Sequence, residues 1–149
     1  MNEVLVRIVF LVHVASTFYM TGLIWFVQIV HYPLMGTVGN SVFSTYEHRH
    51  MTLTTWVVVP PMLLELAAAF LLFWYRPNGM PLSLVWAGIF LLGVIWFSTF
   101  FLQVPCHERL ATGFDAEVHR RLISTNWIRT FAWSLRGMLV LWVMWTWGK

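Results

Sequence analysis

Residues 77–107, PNGMPLSLVWAGIFLLGVIWFSTFFLQVPCH, contain no Asp, Glu, Lys or Arg. Residues 8–46 are equally free of these four residue types. About 20 consecutive apolar residues suffice for a helix to cross a bilayer. Each stretch therefore predicts one membrane span, which we place at residues 82–105 and 4–32.

The composition of the whole chain agrees with this interpretation. Of 149 residues, 59% are hydrophobic and only 10% are charged, whereas about a quarter are charged in a typical soluble domain. This composition excludes a disordered chain, a nucleic-acid-binding module and an ordinary water-soluble enzyme. The single cysteine, Cys106, excludes an intrachain disulfide. We expect an integral, multi-pass membrane protein in contact with the lipid bilayer, in a bacterial cytoplasmic membrane and with no nucleic-acid partner.

Two further spans are predicted at residues 51–75 and 122–147. The first is interrupted only by Glu65, and the second carries Arg129 and Arg136. Turn-forming segments rich in Gly and Pro separate the spans, such as Arg76-Pro77-Asn78-Gly79. The sequence therefore predicts an all-α, up-down four-helix bundle that forms one transmembrane domain over residues 1–149.

The two halves of the chain resemble each other. A shift of 71 positions aligns Gly-x-Ile-Trp-Phe at residues 22–26 with the same motif at 93–97, and His-Arg-x4-Thr-x-Trp at 48–56 with 119–127. This similarity predicts a tandem repeat of two helices, residues 1–78 and 79–149. Because each copy has an even number of spans, the pseudo-twofold axis should run along the membrane normal.

Three polar residues are expected at the same depth in the bundle. With a rise of 1.5 Å per residue, Glu65, Arg136 and His13 lie about 14–16 Å from the face that holds both termini. A charge inside lipid must face protein or water. We therefore expect a buried Glu65–Arg136 ion pair with His13 within reach. Such a pair either fixes the packing of the helices or acts as a proton relay or carboxylate site.

A second polar group is expected near the opposite face of the membrane. It contains five of the six histidines, and its members are Gln28, His31, Glu47, His48, His50, Gln103, His107, Glu108, His119, Asn126 and Arg129. His48 and His119 are equivalent in the repeat and could approach one centre from opposite sides. The ligand types predict a haem or a transition metal such as zinc, copper or non-haem iron. The candidate metal ligands are His31, His48, His107, His119 and Glu47. The alternative is that these histidines are merely solvated at the interface.

Tryptophan and arginine in this region favour an apolar aromatic ligand. Trp25 and Trp96 lie deeper than the other tryptophans, which resemble interfacial aromatic belts. They either pack the core between the two repeats or hold the apolar body of a ligand, with Gln28 and Gln103 as further cofactor-binding residues. Arg129 would bind an anionic group such as a carboxylate or phenolate. The candidate catalytic residues are His31, His48, His119, Asn126 and Arg129.

The segment Asn126-Trp127-Ile128-Arg129-Thr130, followed by Ala132-Trp133-Ser134-x-Arg136, resembles a bacterial family of small four-span membrane proteins that is similar to the anthrone-oxygenase-like proteins. That resemblance implies oxygen insertion into a polycyclic phenol, with no established metal. A weaker similarity, on His13, Gly22-x-x-Trp25-Phe26 and His31-Tyr32, is to the four-helix membrane protoporphyrinogen oxidases. It implies chemistry linked to haem.

The sequence thus predicts a membrane-embedded site for an apolar aromatic ligand, haem or metal, in an oxidoreductase or oxygenase-like protein. Two other hypotheses remain open. One is a non-catalytic structural subunit of a larger membrane complex, in which the polar residues only specify packing. The other is a carrier, which would have to act as a homo-oligomer because four spans enclose little free volume.

Overall fold

A computed structural model describes residues 2–147, and it is all-helical over that range. Its four long helices are α1 (Glu3–Met35), α2 (Asn40–Leu71), α3 (Leu82–Ala111) and α4 (Ala116–Trp147). Some residues that the sequence analysis placed between the spans are helical in the structure. α2 begins eleven residues and α4 six residues before the predicted spans, so both extend beyond the apolar stretch.

Side-chain caps define the first turns of two helices. The Asn2 side chain accepts hydrogen bonds from the amides of Val4 at 3.1 Å and Leu5 at 3.4 Å. Before α4, Asp115 Oδ1 accepts from the amides of Glu117 at 2.9 Å and Val118 at 3.1 Å. These backbone bonds favour the carboxylate and lower the pKa of Asp115. The cap explains why α4 begins before its apolar stretch.

Helices α1 and α3 each contain one turn of π-helix, at Val27–His31 and Thr99–Gln103. In both helices a proline, Pro33 or Pro105, follows two residues later. Proline has no amide hydrogen for the helical ladder, and π turns occur often at functional sites. Three of the predicted site residues, Gln28, His31 and Gln103, lie on these two turns.

Helices α1, α2 and α3 are long and apolar enough to cross a membrane. Helix α4 is equally long but carries Glu117, Arg120 and Arg121 in its first turns, and two more arginines further along. Large apolar side chains cover the outside of the protein, and several tryptophans and phenylalanines are more than half exposed, among them Trp56, Trp74, Phe90, Phe97, Phe101 and Trp145. This apolar exterior is typical of contact with lipid.

The packing of the helices leaves a gap on one side. α1 packs against α2 and α4, and α4 also packs against α3. α2 and α3 meet mainly at the segment Val104–Ala111, and α2 makes no backbone contact with the π turn Thr99–Gln103. Residues from all four helices form the core at mid-height, namely Met20, Ile24, Met62, Leu92, Ile95 and Trp133. The gap between α2 and α3 leads to the candidate site.

Candidate functional site: a cavity with a polar end

A cavity of about 430 Å³ lies between the helices, within the usual size range of small-molecule sites. Its walls are mostly apolar, with Met20, Ile24 and Met62 at its buried side. Its polar lining residues include Tyr32, His50, Gln103, His107 and Arg129. The cavity can therefore enclose an apolar molecule and contact a polar group at one end.

His107 of α3 is held between a phenol and a carboxylate. The Tyr32 hydroxyl lies 3.0 Å from His107 Nε2, and His107 Nδ1 lies 2.5 Å from Glu47 Oε1. Glu47 is fully buried, and its other oxygen, Oε2, has no hydrogen-bond partner among the described residues. A carboxylate beside Nδ1 fixes the orientation of the imidazole. The three residues form a path along which a proton can move between Tyr32 and Glu47.

Arg129 of α4 interacts with the Tyr32 hydroxyl. Its side chain is buried, and no carboxylate in residues 2–147 lies within salt-bridge distance of it. Its Nε has no hydrogen-bond partner there either. The guanidinium lies 5.5 Å from the centroid of the Trp133 ring. A buried cation without a counter-ion is energetically costly, so this end of the cavity favours an anionic ligand.

The polar end thus takes one residue from each helix, namely Tyr32, Glu47, His107 and Arg129. Three of these four residues were candidates from the sequence. Tyr32 was missed as a site residue, although its spacing of four residues from Gln28 places both on the same face of α1.

Histidines surround Glu47 and could bind a metal ion. Ligand atoms of Glu47, His50 and His107 all lie within 4.8 Å of one another. His50 Nδ1 lies 3.1 Å from His31 Nε2 and 3.0 Å from the Thr54 hydroxyl, and the rings of His31 and His50 are stacked at 4.6 Å. Imidazole and carboxylate together suit zinc, copper or non-haem iron. His50 was not among the predicted ligands, although it is three residues from Glu47 on the same helix face.

Three other predicted ligands, His31, His48 and His119, are not members of this group of converging ligand atoms, although His31 contacts its member His50. His48 is exposed, and its Nδ1 lies 2.8 Å from the carbonyl of Ser44 on the same helix. His119 is buried, and its Nε2 donates to the Tyr32 carbonyl at 2.8 Å. A Cβ atom at Gly36 would lie only 2.8 Å from His119 Cε1. His119 therefore holds the end of α1 against α4 where glycine permits close approach.

The predicted amide residues have different surroundings. Asn126 Nδ2 donates to Gln28 Oε1 at 2.8 Å, and Gln28 Nε2 donates to the Ile123 carbonyl at 3.2 Å. These bonds join α1 to α4, and neither residue lines the cavity. Gln103 does line the cavity. Its Nε2 donates to the Thr125 hydroxyl at 2.9 Å, whereas its Oε1 has no partner among the described residues.

The two predicted aromatic residues also differ. Trp96 lines the cavity, and within residues 2–147 its buried indole nitrogen has no partner. Trp25 is 40% exposed, and its indole nitrogen donates to the Ser134 hydroxyl at 3.0 Å. Trp25 packs edge-on against Trp127 and is not part of the cavity wall.

A second polar centre lies deeper in the bundle, where the structure brings Glu65 and Arg136 together. Arg136 Nε lies 2.9 Å from Glu65 Oε1, and both side chains are fully buried. The same carboxylate accepts from the Thr17 hydroxyl at 2.8 Å and from Trp133 Nε1 at 3.0 Å. Arg136 also donates to the Gly88 carbonyl. Each of the four helices thus contributes to this centre, which ties the bundle together.

His13 lies beside Arg136, and its buried Nδ1 has no hydrogen-bond partner in the described chain. Both residues line a small cavity of about 20 Å³. This volume is sufficient for one water molecule. The proximity of His13 to the ion pair agrees with its expected depth, but this cavity is too small for an organic ligand.

No protein-family model, no curated protein and no solved structure matches the chain.

Proposed function

We propose that all four helices span the membrane and that the bundle is a tandem two-helix repeat with a pseudo-twofold axis along the membrane normal. The proposal that α4 spans the membrane is supported by the difference between its buried and its exposed face. Arg129 and Arg136 are buried, whereas its exposed side is apolar, with Phe131, Leu135, Met138, Leu141 and Trp142. For the repeat, the support is the spacing of 71 residues between Glu65 and Arg136 and the presence of a π turn before a proline in both α1 and α3. A bacterial cytoplasmic membrane remains the expected location.

We infer that the cavity binds an apolar aromatic molecule with an acidic hydroxyl group. The observation that carries this inference is Arg129, a buried cation without a carboxylate partner in the described chain, at a cavity of apolar walls. A phenolate or enolate placed beside Arg129 would supply the missing negative charge, and charge-assisted hydrogen bonds of this kind are among the strongest in proteins. The apolar rings of the ligand would contact Met20, Ile24 and Trp96.

The neighbouring residues suit proton transfer from such a ligand. Tyr32 and His107 lie at the same end of the cavity as Arg129, and Glu47 orients the imidazole of His107 through Nδ1. Removal of a proton from a polycyclic phenol gives an electron-rich anion that reacts with O2. For an anthrone, the ring CH2 is oxidised to a carbonyl. One oxygen atom enters the product, and the other leaves as water with the two hydrogens. We propose this oxygenase-like oxidation as the activity of the protein.

Oxygen uptake by purified protein in lipid nanodiscs tests this proposal. With anthrone as substrate, we expect one O2 consumed and one anthraquinone formed per turnover. Arg129→Met should lower the rate by about 10²-fold, the typical effect of removing one charge-stabilising donor. Arg120→Met is the matched control, because Arg120 lies on the same helix but is exposed. Equal rates in the wild type and in Arg129→Met would contradict the proposal.

A metal centre is a second candidate, favoured by the convergence of Glu47, His50 and His107 within 4.8 Å. In that case a transition metal, and not the imidazole, would activate oxygen or the substrate. Elemental analysis of the purified protein distinguishes the two candidates, since stoichiometric metal that is lost in Glu47→Gln would favour the metal centre. An absorption spectrum tests for haem in the same sample.

The remaining alternatives are non-catalytic. A structural subunit of a membrane complex would use its buried polar residues for packing alone and would not bind the aromatic ligand through Arg129. A carrier formed by a homo-oligomer could bind the ligand but would not consume O2. The oxygen-uptake comparison of wild type with Arg129→Met therefore also separates these alternatives from the proposed activity.

A further inference from the structure

The cavity has a buried side and an exposed rim. Met20, Ile24 and Met62 at its buried side are at most 2% exposed. On the rim, Leu63 of α2 is 51% exposed and Phe100 of α3 is 56% exposed. The cavity therefore opens to the outside of the bundle through the gap between α2 and α3.

This opening lies at the height of the lipid hydrocarbon. Leu63 is eight residues from the end of α2 at Leu71, a distance of about 12 Å along the helix. Phe100 is eleven residues from the end of α3 at Ala111, a distance of about 16 Å. These two helix ends lie on opposite faces of the bundle, and both helices are apolar enough to cross a membrane. The opening therefore faces acyl chains and not water.

Polar atoms without partners belong to the cavity lining and define the chemistry of its occupant. Arg129 Nε and Trp96 Nε1 are buried donors, and Gln103 Oε1 is a buried acceptor, and none has a partner among residues 2–147. A ring with an anionic or carbonyl oxygen satisfies the donors, and a hydroxyl on the same ring satisfies the acceptor. Each such pairing removes the penalty of a buried, unsatisfied polar group.

Two prolines lie inside α2 beside the gap. Pro60 and Pro61 stand between the lining residues Val59 and Leu63. Proline inside a helix removes backbone hydrogen bonds and bends the helix. α2 makes no backbone contact with Thr99–Gln103, the π turn of α3 that includes Phe100.

From these observations we propose that the ligand reaches the site from within the bilayer, between α2 and α3. We propose further that it is a hydroxylated aromatic ring bearing a hydrocarbon tail, with the ring in the cavity and the tail left among the lipids. This inference rests on the proposed ligand-binding function and adds the substrate class and the route. It has a specific thermodynamic consequence. A tail that stays in lipid, whether the ring is bound or free, contributes nothing to the affinity.

The test uses 2-hydroxy-1,4-naphthoquinone, an anionic ring with carbonyl oxygens, and a series of its 3-alkyl derivatives of increasing length. Binding to the wild type in nanodiscs is followed by the visible absorption of the quinone. Each dissociation constant is expressed as the amount of quinone per amount of lipid. We expect dissociation constants that agree within about threefold along the series. A loss of more than tenfold with longer tails would mean that the cavity must enclose the whole molecule, and would overturn this inference.

The route is tested by a matched pair of variants on α2. Leu63→Trp places a large side chain on the rim, whereas Leu64→Trp changes the adjacent residue, which is 56% exposed and does not line the cavity. We expect Leu63→Trp to slow association of the alkyl quinone at least tenfold and Leu64→Trp to leave it unchanged. Equal rates in the two variants would contradict the route.

If the compound without a tail also fails to bind the wild type, the proposed function itself is wrong. If it binds and only the tailed compounds fail, the function stands without this inference.

Discussion

The guanidinium of Arg129 lies 5.5 Å from the centroid of the Trp133 ring. The indole N–H of the same tryptophan donates to Glu65 at 3.0 Å. Trp133 is fully buried, so one rigid side chain contacts both the cation of the cavity and the carboxylate of the deeper ion pair. Trp133 of α4 thus links the two polar centres.

Removal of Glu65 alone should be more harmful than removal of the whole ion pair. Glu65→Leu leaves Arg136 buried without a counter-ion, and we expect it to lower the free energy of unfolding by about 3–5 kcal/mol. The double variant Glu65→Leu/Arg136→Leu should recover a large part of this loss. Denaturant titration in mixed micelles measures both values. A double variant as unstable as the single one would mean that the pair does not stabilise the fold as described.

Trp133→Phe separates the two contacts of this tryptophan. The phenyl ring can still face Arg129, but Glu65 Oε2 loses the indole donor. We expect a loss of about 1–3 kcal/mol in the free energy of unfolding, the usual cost of an unsatisfied buried acceptor. Affinity for 2-hydroxy-1,4-naphthoquinone should stay within about threefold of the wild type. A large loss of affinity with unchanged stability would show that the indole N–H serves the ligand instead of Glu65.

Tyr32→Phe removes the hydroxyl that contacts His107 and interacts with Arg129. Because Arg129 remains, we expect the affinity for the aromatic anion to fall less than tenfold, whereas turnover of anthrone should fall by about 10²-fold, as for loss of a general acid or base. Tyr19→Phe, also on α1 but half exposed, is the control. Equal turnover in Tyr32→Phe and in the wild type would exclude a role of this hydroxyl in proton transfer.

The stability of the protein should depend on pH in the acid range through Asp115, which caps α4. Its pKa in the folded protein is below the ordinary value of 3.8 because its carboxylate accepts two backbone hydrogen bonds. The cap therefore contributes fully above pH 3.8, and the contribution is lost as the pH falls through the lowered pKa. Asp115→Asn should show a smaller decrease in Tm over this acid range than the wild type. Identical pH profiles in thermal denaturation would contradict this role.

The sequence is most informative where a single physical constraint dominates. Runs with no charge or with a single charge predict apolar helices because lipid excludes unpaired polarity, and α1, α2 and α3 meet this expectation. The helix ends were harder to predict. Asp115 and the residues after Gly39 extend α4 and α2 beyond their apolar stretches, and hydropathy is insensitive to such caps.

The site could be predicted only in part, because helical spacing gives the face of a residue but not its partner across the bundle. Glu47 and His107 were candidates, but their contact with each other depends on how α2 packs against the end of α3. Tyr32 was missed because a tyrosine at the end of an apolar span is usually an interfacial residue. His48 was selected because it is equivalent to His119 in the repeat. In the structure it is exposed, and it bonds to the Ser44 carbonyl of the same helix.

The two buried arginines of α4 provide the most direct test of the central proposal, that Arg129 binds an anionic aromatic ligand. Arg136 has its carboxylate at 2.9 Å, whereas Arg129 has none in the described chain. The measurement is the Tm in nanodiscs, with and without 2-hydroxy-1,4-naphthoquinone, for Arg129→Met and Arg136→Met. We expect Arg129→Met to keep or raise the Tm of the free protein, because it removes an uncompensated buried charge, and to abolish the increase in Tm that the ligand gives the wild type. Arg136→Met should lower the Tm. A marked loss of stability in Arg129→Met, or an undiminished response to the ligand, would contradict the proposal.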